Sequence, residues 1–196
     1  MATALPNSPS HPPMVDEATA RRQMEELIRN SKPRSVLEVL LQHAEAYNRG
    51  ALACIEKAQV TGNADLAAPA IMCQAFSIEL LLKFFVVLPH PGVMRYSELH
   101  NLGVELRGHR FSTLFDRIAS PVQDAIASTF STQSGEPTSS AGFRAKLIEL
   151  GDEPFIEWRY VYEKEGIQHL HYALFNQVVD ALGLTALTAL NVLESP

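Results

Sequence analysis

Seven polar side chains stand inside apolar or aromatic runs of this chain, and chemistry is expected where they gather. Glu79 and Lys83 interrupt AFSIELLLKFFVVL, His109 opens HRFSTLF, and Arg159, Tyr160, Tyr162 and Glu163 lie in WRYVYE. Taking a carboxylate, an ammonium or a guanidinium out of water costs roughly several kcal/mol per ion unless it is paired. A buried Glu79 therefore demands a cation, and Arg159 offers it a planar two-pronged donor. Three readings stay open for the set. It is a buried ion-pair network that fixes helix register, a pocket that recognises a phosphate or a base through Arg159, His109 and the tyrosines, or a group of surface residues.

A second group is cationic. Arg107, His109, Arg110 and Arg117 fall within one short stretch, where they can contact phosphate or merely flank Glu105 and Asp116. The net charge of −6 favours flanking. From Ala141 onward four basic side chains face eight acidic ones, so a broad cationic track requires a dimer that concentrates the strip. His169 and His171 form an HxH pair, but two residues along a helix lie on opposite faces, so a shared metal requires extended backbone. No metal site is expected. Cys54 and Cys73 sit in separate apolar stretches without Cys or His at ligand spacing, and are read as core. The phosphate-cradling patterns GxGxxG and GxxxxGKS/T are absent, as is the GxSxG elbow, and no cofactor is expected.

The elements that must position these groups read as helices throughout. Leu and Ala total 47 residues against 22 for Val and Ile, a balance that favours helix over sheet. Residues 1–14 carry Pro6, Pro9, Pro12 and Pro13 among polar residues, and are expected to be a disordered tail before a single helical domain, 15–196. Helical stretches are expected at 15–30, at 36–59 behind a Ser35/Glu38 capping box, and at 64–87. Further ones are expected at 111–118, at 121–130 with Ser120 as N-cap, at 141–150 and at 167–193. Residues 93–110 read as a connection with a short helical turn, 131–140 as a polar loop, and 155–163 as extended or single-turn. The stretch 64–87 is long enough to tempt a membrane reading, but Glu79 and Lys83 argue against it. Its polar residues point to opposed sides, Gln74 with Ser77 and Glu79 with Lys83, as expected of the central helix of a bundle. The expected architecture is all-α, a bundle of six to seven helices around this long apolar one. Two cysteines suit a reducing compartment, and the opening MATALPNSPSHPP lacks a basic stretch leading into an apolar one, so a cytoplasmic protein without a secretory signal is expected.

Three segments, taken in order, suggest a family. AFSIELLLK (Ala75 to Lys83), RGHRFSTLFDRI (Arg107 to Ile118) and WRYVYE (Trp158 to Glu163) resemble the AxxxELxLK helix, the GHxLxxLF turn-and-helix and the RYxYE stretch of a HEPN-like helical family. The resemblance spans about residues 35–190. It implies an all-α bundle, usually a homodimer, in a superfamily whose members bind or cut RNA, often within prokaryotic defence or toxin–antitoxin systems. Catalytic members carry an Arg followed four to six residues later by His on a helix near the dimer seam. Arg159 has no such histidine. Only RYSELH, Arg95 to His100, has the spacing, within a Pro/Gly-flanked connection. If those two residues acted, cleavage would be metal-independent, with the RNA 2′-hydroxyl as nucleophile, His100 as acid or base, and Arg95 on the developing phosphorane charge. The resemblance thus implies a binding module for RNA or a partner protein, with a ribonuclease or a purely structural adaptor as alternatives.

Overall fold

A computed structural model of the chain describes residues 16, 19, 21–22, 34–151, 153–154 and 171–194. The chain divides into two compact units, Met1–Pro33 and Arg34–Pro196. In the first, the Asp16 carboxylate accepts from the Thr19 backbone N–H at 2.9 Å and from its hydroxyl at 2.6 Å, an acidic cap on a helical turn. The expected helix over 15–30 otherwise lies outside the described residues, as does the 1–14 tail.

The second unit is all-α, with seven helices among the described residues: α1 (Val36–Thr61), α2 (Ala67–Val87), α3 (Tyr96–Asn101), α4 (Phe111–Asp116), α5 (Ser120–Ser134), α6 (Ser140–Glu149) and α7 (Tyr172–Glu194). The capping box forms as the spacing predicts. The Ser35 hydroxyl accepts from the Glu38 backbone N–H at 3.2 Å, and the Glu38 carboxylate accepts from that of Ser35 at 2.8 Å. Gly62, in the left-handed region, ends α1. A short 3-10 turn, Ala64–Leu66, then reverses the chain into α2.

Helix α2 is the central element, packed against α1, α4 and α7. Its buried residues include Ile71, Ile78, Glu79, Leu80, Leu81 and Phe84, which surround the axis instead of forming a stripe. The opposed polar residues each find a neighbour. The Ser77 hydroxyl donates to the Ala44 carbonyl of α1 at 2.8 Å. The Gln74 amide donates to Asn176 of α7. The Val36 backbone N–H donates to the Val93 carbonyl at 2.8 Å, tying the start of α1 to the chain that leaves α2. On the other side, Phe143 of α6 packs on Phe115 of α4 and Phe130 of α5, ring centroids 5.4 Å apart in both cases.

Two stretches, Ala64–Val87 and Tyr172–Leu193, are long and apolar enough to cross a membrane. Two thirds of the first is covered by protein (67%), as a bundle centre requires, against 44% of the second.

Several sequence readings are adjusted. The short helical turn expected within 93–110 is placed at α3, where Glu98 accepts from the Met94 and Arg95 backbone N–H groups and caps it. Helix α5 begins one residue early, with Ala119 as N-cap and Pro121 at the second helical position, and runs on to Ser134. There the Ser131 and Thr132 hydroxyls bond back to carbonyls four residues earlier, and Gly135 (φ 74°) stops the helix. Helix α7 starts at Tyr172, after His171. Residues 155–163 lie outside the described residues.

Candidate functional site

Glu79 is buried to 1% exposure in the middle of α2. The helix itself supplies its first partner one turn on: Lys83 Nζ lies 2.6 Å from Glu79 Oε1, its side chain only 14% exposed. The second partner comes from the loop before α4. His109 Nδ1 lies 2.9 Å from Glu79 Oε2, and the imidazole is 48% exposed. Gly108, at φ 98°, turns the backbone there into the left-handed region. Both carboxylate oxygens are thus engaged. A proton on Nδ1 faces the carboxylate, which leaves Nε2 on the opposite ring edge, towards the exposed side. The carboxylate orients the ring, and the ring presents one nitrogen outward.

The same loop carries the cationic strip, and most of it is engaged in structure. Arg117 Nη1 donates to the Glu105 and Arg107 carbonyls, both at 3.0 Å, and so staples the loop to the end of α4. Arg110 Nε donates to the Glu153 carboxylate at 3.1 Å. Asp116 is paired by Arg144 of α6, which donates Nε and Nη2 to its two oxygens at 2.7 and 2.8 Å. That fork holds the Asp116 carboxyl below its ordinary value, against an opposing effect of burial. Arg107 is exposed and has no ion pair among the described residues. It lies two residues before His109 in the loop and is likewise exposed.

Arg95 and His100 are both exposed and lie at opposite ends of the short helix α3. Arg95 precedes the helix in extended conformation (φ −136°, ψ 143°), so the two side chains do not share a helical face. Arg159, Tyr160, Tyr162, Glu163 and His169 lie outside the described residues. His171 Nδ1 is 3.9 Å from Glu149 Oε1, and the described residues hold no group of three or more metal-ligating side chains. Cys54 and Cys73 are half-buried and not part of the core. Burial, and then the nearby Cys54 thiol, push the Cys73 thiol up. Antiparallel α1 and α2 bring the two together across the hairpin, which spacing along the chain conceals.

No family model, curated protein or solved structure matches the chain.

One polar group escaped the sequence reading. Asp180, on α7, faces a groove between α1, α2 and α7, and burial pushes its carboxyl up. A single acid in an amphipathic helix carries no signal that distinguishes it from a solvated one.

Proposed function

We propose that the chain is a HEPN-like helical module that binds RNA without cutting it and works as a homodimer in the cytoplasm, in a prokaryotic defence or toxin–antitoxin type system. The observation that supports it is the Glu79–His109 pair: a fully buried carboxylate holds a half-exposed imidazole two residues along the loop from Arg107, which is exposed and has no ion pair among the described residues. The Arg107 guanidinium can donate to a phosphate oxygen, and His109 Nε2, the acceptor of a ring whose Nδ1 proton faces Glu79, can accept from a ribose 2′-hydroxyl. The resemblance of the AFSIELLLK and RGHRFSTLFDRI segments to the family supports the same assignment, since those segments supply Glu79, Lys83, Arg107 and His109. The separation of Arg95 and His100 speaks against cleavage there.

The test is fluorescence anisotropy with a labelled single-stranded RNA of about 20 nucleotides at about 50 and about 200 mM salt. Binding should weaken with salt, and Arg107→Ala/His109→Asn should cost about tenfold or more while RNA stays intact. Failure to bind at the lower salt sinks the reading in favour of a structural adaptor. Cleavage that Arg95→Ala/His100→Ala abolishes replaces it with the ribonuclease. Light scattering checks the dimer, and a monomer at micromolar concentration removes that part.

A further inference from the structure

A groove of about 350 Å³ opens between α1, α2 and α7, away from His109. Its floor is apolar, with Leu41, Leu81 and Val179 buried beneath it. One wall is a pair of α7 leucines, Leu184 and Leu187, which stay 50% and 47% exposed. At i and i+3 they form a ridge along the helix. Gly183 lies between floor and ridge, and a Cβ built there meets nothing within 4 Å, so the groove is open at that point. The rim is acidic. Glu45 of α1 and Asp180 of α7 stand on opposite sides of the opening. Glu45 has only a distant contact, 4.0 Å, to Arg49, and both side chains are largely exposed. Asp180 has no ion pair among the described residues.

We propose that this groove is a docking site for a basic amphipathic helix of a partner protein, which seats apolar anchors on the Leu184/Leu187 ridge and sets Lys or Arg against Glu45 and Asp180. The apolar floor between helices is the geometry that receives i, i+3/i+4 anchors. The two rim carboxylates select the charge of the flank, since like charge across an interface is disfavoured and opposite charge steers association. A second copy of this chain fits poorly, because it brings the same acidic rim to meet its own. Burial pushes the Asp180 carboxyl above its ordinary value, and a facing ammonium opposes that shift on binding.

The experiment uses the full chain and two labelled synthetic helices of about 14 residues, four turns, one of Leu and Lys and one of Leu and Glu with the same apolar face. The Leu/Lys helix should bind at least about 20-fold tighter than the Leu/Glu helix at about 100 mM salt. Gly183→Leu, whose Cβ enters open space in the groove, should weaken the Leu/Lys helix about tenfold while leaving the circular dichroism of the free chain unchanged. Glu45→Lys/Asp180→Lys should reverse the preference while leaving the circular dichroism of the free chain unchanged. Equal binding of both helices, no binding of either, or indifference to Gly183→Leu overturns the proposal. So does light scattering showing a dimer that Gly183→Leu dissociates, which would make a second copy the occupant.

Discussion

Glu79→Gln is the substitution that weighs the buried cluster most directly. Glutamine keeps the size and shape of the side chain but removes the charge that both neighbours face. Lys83 Nζ, now 2.6 Å from Glu79 Oε1 and 14% exposed, loses its counter-ion in a place water barely reaches. His109 is half-exposed and can turn to solvent, so the cost falls on the lysine. Stranding one member of a buried pair costs about 3–5 kcal/mol, and the residual exposure of Lys83 places this case near 3 kcal/mol. With a urea dependence of about 2 kcal/mol per M for a domain of this size, the midpoint should fall by about 1.5 M. Glu79→Leu/Lys83→Met removes both charges together and should recover stability to within about 1 kcal/mol of the natural chain. Urea titration followed by far-ultraviolet circular dichroism measures all three proteins. A Glu79→Gln change within about 0.5 kcal/mol refutes the reasoning, because only exposed residues are so tolerant.

Three further outcomes follow from described contacts. Asp180→Asn should stabilise the chain at neutral pH. A carboxyl raised by burial penalises the folded state while ionised, so the advantage should shrink as pH falls through the folded value and vanish below about 3.8, the ordinary one; thermal unfolding from pH 7 to 3 checks it. Arg144→Ala should cost about 0.5–1 kcal/mol at neutral pH and low salt, since the Asp116 pair is partly exposed. Because Asp116 is held below its ordinary value, that contribution exists above about 3.8 and is lost as pH falls further; denaturant titrations at pH 7 and 3 show the gap or its absence. Gln74→Met should be neutral or stabilising by up to about 1 kcal/mol, because the buried Oε1 has no partner among the described residues. A loss of about 2 kcal/mol or more would instead reveal a partner elsewhere.

The fold was largely legible because its signals are local. The Ser35/Glu38 spacing and the opposed polar residues of the central helix each act over a turn or two, and each forms as read. The short helical turn expected within 93–110 is α3, whose place the sequence left open because Glu98 caps it from within a Pro/Gly-flanked stretch. The extension of α5 was missed because serine and threonine favour loops until their hydroxyls find carbonyls one turn back. At the site, Glu79, Lys83 and His109 were picked out by being polar in apolar surroundings. Their mutual pairing was not, because an arginine is the better fork on chemical grounds and proximity depends on how the loop at Gly108 turns. The Cys54–Cys73 neighbourhood and the acidic groove depend on which helices become neighbours, which no single segment encodes.

The hairpin of α1 and α2 also bears on the order of folding. Its two helices are separated by a handful of residues, and the Ser77–Ala44 hydrogen bond closes over a span of 33. The Gln74–Asn176 contact, by contrast, spans 102. Loop-closure entropy grows with span, so nearby pairs form before distant ones. The antiparallel pair that carries Glu79 is thus the natural nucleus, assembled while α7 is still free. Glu79 then meets Lys83 at once, within its own helix, but waits for His109 until the loop before α4 has closed. Glu79 is thus shielded early by one partner and completed late by the other, so loss of its lysine contact should slow folding and loss of its histidine contact should speed unfolding.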